Sequence, residues 1–206
     1  MTRFFYLSIL FAFLTSCGYQ LNDQAKQWIP YKAGDVLVFQ SNNDKVDTIF
    51  ITDVEQYFEG KNEIFKVNCN FIDHDLYSQK RVDTIYSWLM AITAWENGKA
   101  VLSINLNTRN ARFAPFNAKP ITKLDSLPRS SIDISNNNHK DVLTIEPDTN
   151  SLTDSAYLHD SLYVSKILWS KSGGLTRYEL KNRKIIWTLK KKYSLNKNIA
   201  ESGAGH

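Results

Sequence analysis

The sequence predicts a mainly β protein with one antiparallel domain, built as a sandwich or as a curved, barrel-like sheet. Two observations support this fold class. Short runs of β-branched and aromatic residues alternate with polar residues and are separated by turn-forming residues along most of the chain. No segment shows the apolar periodicity of a long amphipathic helix. Aromatic residues make up 13% of the 206 residues, enough to line the concave side of a curved sheet.

The first predicted strands form an antiparallel meander. A short apolar run, an alternating run and a run around Cys69 are the three strand candidates: Val36–Phe39, Val46–Val54 and Phe65–Phe71. The turn residues Ser41–Asp44 separate the first two, and Phe58–Asn62 separates the second from the third.

The next region contains a short stretch that resembles an earlier one, and a hairpin signal. Lys45–Phe50 recurs in similar form as Arg81–Tyr86, which indicates two strands in similar environments. Tyr86–Trp95 is apolar enough for either a strand or a short helix. Asn97-Gly98 is typical of a type I′ hairpin turn, because both central residues need positive φ. The hairpin favours strands on both sides, with Ala100–Leu106 as the second.

The rest of the domain is predicted as an irregular connection followed by a sheet. Arg109–Asn138 contains three prolines, and we expect at most one short strand there. Asp141–Glu146 is a strand candidate. Three further strands linked by hairpins are predicted at the carboxyl end, at Leu162–Trp169, Leu175–Leu180 and Ile185–Leu189.

The amino terminus has the pattern of an export signal. Arg3 supplies positive charge, and Phe4–Leu14 is apolar except for Ser8 but too short to span a bilayer, which needs about 20 residues. Leu14-Thr15-Ser16-Cys17 follows and resembles the lipobox of bacterial lipoproteins. That resemblance implies cleavage before Cys17 and acylation of its sulfur with fatty acids such as palmitate. An ordinary signal peptide, or a buried apolar helix, is the alternative.

The resemblance implies a location, and the residue pattern after Cys17 divides the rest of the chain. Residues 1–16 would be the signal peptide, 17–27 the lipidated cysteine and a tether, 28–193 the β domain and 194–206 a flexible tail. The chain would be anchored by lipid in the cell envelope. Gly18, where an aspartate often marks retention in the inner membrane, is compatible with the outer membrane.

Charge and cysteine content limit the possible functions. The net charge is +4, and ten Lys or Arg residues with one acid lie between Lys166 and Lys197. This basic end could face anionic lipid headgroups or glycan phosphates, or it could be a solvated strand face. No nucleic-acid motif is present. Once Cys17 is acylated, Cys69 has no disulfide partner, and a buried thiol is favoured over a nucleophile.

Acidic and imidazole side chains give one candidate for chemistry. Asp73, His74, Asp75 and His159 could hold a metal ion for an envelope hydrolase. Neighbouring strand residues point to opposite faces, however, which makes joint ligation by Asp73 and His74 difficult. The other interpretation is a solvated loop.

A recurring triplet gives a candidate for modification. Asp followed by Ser or Thr and then an aliphatic or small residue occurs five times, with the hydroxyl residue at Thr48, Thr84, Ser126, Ser155 and Ser161. The triplet resembles the acceptor of a general O-glycosylation system for exported bacterial proteins. Ser126, Ser155 and Ser161 are the predicted sites, since Thr48 and Thr84 fall in strands. Local strand-start and turn preferences would also explain the pattern.

The sequence therefore favours a non-enzymatic binding or scaffold module for an apolar, glycan or protein partner, without a cofactor. The whole chain resembles small envelope lipoproteins of Gram-negative bacteria. The metal-assisted hydrolase is the alternative, and docking through a sheet edge is a third possibility. An apolar groove would indicate ligand carriage, and a filled core would indicate docking.

Overall fold

A computed structural model describes residues 18–74, 81–106, 108, 111, 119–134, 137–146, 161–181 and 184–195. These residues form one antiparallel, eleven-stranded sheet that curls into a half-barrel. The predicted fold class is confirmed, in its curved, barrel-like form.

The strands are β1 Asp35–Ser41, β2 Val46–Glu59, β3 Asn62–His74, β4 Arg81–Ala94, β5 Ala100–Ile104, β6 Lys119–Pro120, β7 Ser130–Ile134, β8 Asn137–Ile145, β9 Val164–Ser170, β10 Gly174–Leu180 and β11 Ile185–Ser194. Within the described residues two short α-helices accompany them, α1 Asp23–Lys26 before β1 and α2 Ile121–Asp125 between β6 and β7.

Strand order places β1 and β11 side by side at the middle of the sheet. The order is β6-β5-β4-β3-β2-β1-β11-β10-β9-β8-β7, so every other neighbour is also consecutive in the chain. The pair Phe39↔Leu189 belongs to this central ladder, which contains an irregularity between Val38 and Phe39. β6 and β7 are the two edges, and α2 connects them.

The core fills the inner side of the curled sheet. Alternate residues of the central strands are buried, including Leu37 and Phe39 on β1. The ring of Tyr178 stacks on Trp187 with centroids 5.7 Å apart. Tyr178 also donates a 3.0 Å hydrogen bond to the buried carboxylate of Asp47, which satisfies both polar groups.

Most of the predicted strands are confirmed. The meander β1–β3 and the hairpin-linked strands β9–β11 lie where expected. The ambiguous Tyr86–Trp95 region is part of β4, and both Asn97 and Gly98 have positive φ, as the type I′ turn requires.

The described parts of the region 109–138 contain more regular structure than predicted. They hold β6, α2 and β7, and β8 begins at Asn137, so the expectation of at most one short strand is wrong. β7 is an edge strand whose exposed side chains are polar, as edges often are. Its short Ser-Ser-Ile-Asp-Ile sequence therefore lacks the apolar run that marks a central strand.

Candidate functional site: the protruding hairpin end

The β2–β3 hairpin extends well past β1. Val36 on β1 pairs with Phe50 on β2. The β1–β2 pairing ends there, whereas the β2–β3 pairing continues for nine more residues to Glu59↔Asn62. At roughly 3.3 Å per strand residue this is about 30 Å of hairpin.

Tight turns end this hairpin and its neighbour β4–β5 at the same end of the sheet. Gly60 has φ 61° at the first central position of its two-residue turn, a conformation that glycine adopts without strain. Asn97 and Gly98 form the second turn. Because β2 and β4 run in the same direction in the meander, the two tips lie together.

Three exposed aromatic side chains lie at these tips, and we name Tyr57, Phe58 and Trp95 the aromatic rim. Their exposed fractions are 38%, 52% and 51%. Nearby apolar residues of the same strands, such as Ile92 and Ala94, are fully buried. Tyr57 and Phe58 are consecutive on β2 and point to opposite faces, so the rim exposes apolar side chains around the hairpin end.

The charges around the rim cancel. Glu59 and Lys61 lie in the β2–β3 turn region and Glu96 and Lys99 in the β4–β5 turn region, and all four residues are exposed. The two acids and two bases of these turns sum to no net charge at neutral pH.

The residues before α1, together with α1, form an N-terminal segment (18–26) that binds to the hairpin end. The N–H of Tyr19 donates to the carbonyl of Lys61 at 2.6 Å, and the N–H of Glu63 donates to the carbonyl of Tyr19 at 3.0 Å. The hydroxyl of Tyr19 donates to the Glu96 carboxylate at 3.0 Å. Tyr19 thus links both hairpins.

The side chain of Glu63 holds this segment in place. The residue is only 3% exposed. Its carboxylate accepts a 2.6 Å hydrogen bond from the N–H of Leu21 and a 2.5 Å hydrogen bond from Gln56 Nε2. The ammonium of Lys26 lies 4.0 Å away. A buried carboxylate with these partners is satisfied, and removing one partner would be costly.

The predicted tether at 17–27 is wrong for its described residues. Leu21 and Ala25 are 4% and 2% exposed and belong to the hydrophobic core. Asn22 caps α1 by accepting a hydrogen bond from the N–H of Ala25 at 2.8 Å. The four-residue spacing of Leu21 and Ala25 was the sequence signal, but one helical turn is too short to show periodicity.

Gly18 makes the closest approach of the segment to the hairpin. A Cβ at this position would lie 2.9 Å from the carbonyl oxygen of Lys61 and 3.0 Å from Cε1 of Phe58. Only glycine fits without displacement. The chain therefore enters the described structure directly beside the aromatic rim.

A second cluster covers the sheet near α2. The ring of Trp28 is fully buried, with the Arg129 guanidinium 5.6 Å and the Lys171 ammonium 5.3 Å from its centroid. The carboxylate of Asp125 pairs with both cations, at 3.2 and 3.4 Å, and accepts a hydrogen bond from Gln24 of α1. This cluster fastens α1 to α2.

The predicted glycosylation residues lie in different environments. Ser126 is exposed directly after α2, and its hydroxyl donates to the carbonyl of Lys123 at 2.8 Å. Ser161 is half-buried before β9, and Ser155 lies outside the described residues. Thr48 and Thr84 are half-buried within strands. Ser126 is the most accessible of the four described hydroxyl residues.

All four predicted metal ligands lie where side chains are not described. Asp73 and His74 end β3 and only their backbone is described, while Asp75 and His159 lie outside the described residues. Among the side chains that the structure does describe, no three His, Cys, Asp or Glu residues are grouped for metal binding.

Cys69 is a free thiol on β3 with no exposed surface, as the sequence predicts. Burial raises the pKa of this thiol to about 12. It is therefore protonated at neutral pH and behaves as a small apolar side chain.

Part of the basic end forms an outer groove. Arg177 and Lys166 both pair with Glu179, at 3.1 and 3.7 Å, which neutralises part of their charge. A groove of about 310 Å³ lies beside them, lined by Gln40, Ser41, Asn42, Asp44, Arg177, Ile186, Thr188 and Lys190.

A polar cluster in the β9–β10 turn was not foreseen from the sequence. Asp141 accepts hydrogen bonds from the hydroxyl of Ser170 at 2.7 Å and from the N–H of Ser172 at 2.8 Å. Burial alone would raise the pKa of the Asp141 carboxyl, but these hydrogen bonds outweigh it and hold the pKa below its ordinary value of 3.8. The cluster orders the turn that precedes Gly174.

No family model matches the chain, and no match was found among curated proteins or solved structures. Among the described residues, no helix is both long and apolar enough to cross a membrane.

Proposed function

We propose that this chain is a lipid-anchored protein of the bacterial envelope whose β domain is a non-enzymatic scaffold that docks partners through its outer surface. Acylation of Cys17 provides the anchor, and the outer membrane is the favoured location. The single observation that carries the proposal is the lipobox-like run Leu14-Thr15-Ser16-Cys17 after the apolar leader. Gly18, the next residue, packs against the β2–β3 hairpin.

The packing of the interior supports docking over ligand carriage. The inner-face residues Ile49, Ile51 and Trp187 are at most 1% exposed, and so are their neighbours Phe39 and Leu37. Such side chains contact protein atoms on all sides, which leaves no room beside them for a guest molecule. The partner surface is therefore sought on the outside of the domain.

Acylation is tested by expressing the full chain with its leader in a bacterial host and supplying radiolabelled palmitate. We expect label on the wild-type protein and none on a Cys17→Ala variant, with both proteins produced in equal amounts. A Cys69→Ala variant is the matched control and should label like the wild type, because this thiol is buried. Equal labelling of wild type and Cys17→Ala, or no label on either, would overturn the proposal.

A further inference from the structure

We infer that the aromatic rim of Tyr57, Phe58 and Trp95 enters the headgroup region of the bilayer that carries the anchor, so that the domain stands on the membrane by its hairpin end. The inference rests on the proposed acylation of Cys17. It adds an orientation and a second membrane contact that the lipid alone does not supply.

Covalent geometry brings the rim close to the anchor. Consecutive Cα atoms are about 3.8 Å apart, so the residue that bears the lipid begins one peptide unit from Gly18. Gly18 itself packs against the Phe58 ring, and the next residue, Tyr19, is already hydrogen-bonded to the turn. The interfacial layer of one leaflet is roughly 5–7 Å thick. A domain held this tightly places Phe58 at or inside that layer.

The chemistry of the rim suits a bilayer surface. Trp and Tyr rings favour the membrane interface, where an apolar body is buried and the polar edge stays hydrated. Each rim side chain exposes at least 38% of its surface in the isolated chain, so insertion removes apolar area from water. Because Glu59, Lys61, Glu96 and Lys99 cancel, we expect binding to zwitterionic lipid with little dependence on salt.

An exposed aromatic residue far from the rim provides an internal control. Tyr86 is 68% exposed and lies on β4, the strand that ends just before Trp95. It lies nine residues from Trp95 along β4, which is about 30 Å of strand. A domain that stands on its hairpin end keeps Tyr86 in water, whereas a domain that lies on the face of β4 would bury it.

The test uses the full chain, processed in a bacterial host, purified and reconstituted into phosphatidylcholine vesicles whose acyl chains are brominated close to the headgroup. Bromine quenches tryptophan fluorescence at short range. We expect the wild type to be quenched relative to unbrominated vesicles, Trp95→Phe to lose that quenching, and Trp95→Phe/Tyr86→Trp to remain unquenched. Raising the salt to 0.5 M should leave the wild-type quenching unchanged, in line with the zero net charge of the rim.

Other outcomes would overturn the inference. Equal quenching of wild type and Trp95→Phe, or no quenching of either, would show that Trp95 lies outside the bilayer. The rim would then be assigned to a protein partner. Quenching of the Tyr86→Trp double variant would show a domain lying on its side. Flotation of the vesicles distinguishes a failure of this inference from a failure of the proposed function. A wild-type protein that does not float with them lacks the anchor, and the inference then loses its premise.

Discussion

The N–H of Leu21 donates a 2.6 Å hydrogen bond to the buried carboxylate of Glu63, 42 residues further along the chain. This contact fastens the N-terminal segment to the end of the protruding hairpin. It is the reason that the chain enters the domain beside the aromatic rim.

Replacement of Glu63 by Gln should destabilise the protein and loosen the segment. An amide keeps one acceptor oxygen but places an NH₂ group against the donors of Leu21 or Gln56, so one buried polar group loses its partner. We expect a loss of about 1–3 kcal/mol in the free energy of unfolding, measured by urea denaturation of the processed protein in mild detergent. The control is Glu59→Gln on the same hairpin, which is exposed and should change the value little. Equal effects of the two substitutions would contradict a special role for Glu63.

The turn before β10 provides a test of close packing. Gly174 has φ +84°, and a Cβ there would lie 2.0 Å from the buried hydroxyl of Tyr31. Gly98 also has positive φ, at +68°, but has open space around it. Gly98→Ala should therefore cost only backbone strain, on the order of 1 kcal/mol, whereas Gly174→Ala should cost several kcal/mol more. Thermal unfolding of the two variants compares them directly, and similar melting temperatures would refute this packing.

The Asp141 cluster predicts a pH dependence of stability. Because its pKa is lower in the folded protein than its ordinary value of 3.8, this carboxylate stabilises the fold above pH 3.8 and loses that contribution as the pH falls through the lower folded value. Asp141→Asn should thus lose about 1 kcal/mol at pH 7 and progressively less below pH 3.8. Urea denaturation at pH 7 and pH 3 measures both values. A deficit that is the same at both would mean that the charge is not responsible.

Ser126 is the described hydroxyl residue best placed for a glycan. In a host with the general O-glycosylation system, Ser126→Ala should lower the intact mass by one glycan. Ser131→Ala is the matched control, because Ser131 is also exposed but does not follow an aspartate. A wild-type protein of unmodified mass in such a host would contradict the assignment.

Sequence periodicity predicted the strands whose inward side chains are strongly apolar, such as Val36–Phe39, and the turn at Asn97-Gly98, where backbone conformation depends on residue type. It missed β7, because an edge strand needs no continuous apolar face. It also missed the docking of Leu21, since that depends on Glu63, a partner far away in the chain.

The sequence contains only a weak signal for the aromatic rim. Tyr57 and Phe58 directly precede the Gly60 turn, where polar residues are usual, but exposure at a hairpin tip depends on how far β2 extends past β1. That extension is set by strand pairing, which a single sequence does not specify.

We propose that the mature chain begins with a lipid-bearing residue one position before Gly18. This is measured by mass spectrometry of the N-terminal peptide of protein purified from bacterial membranes. We expect a peptide that starts at Cys17 and carries the added mass of fatty acyl chains. A peptide that retains the leader, or an unmodified Cys17, would contradict it.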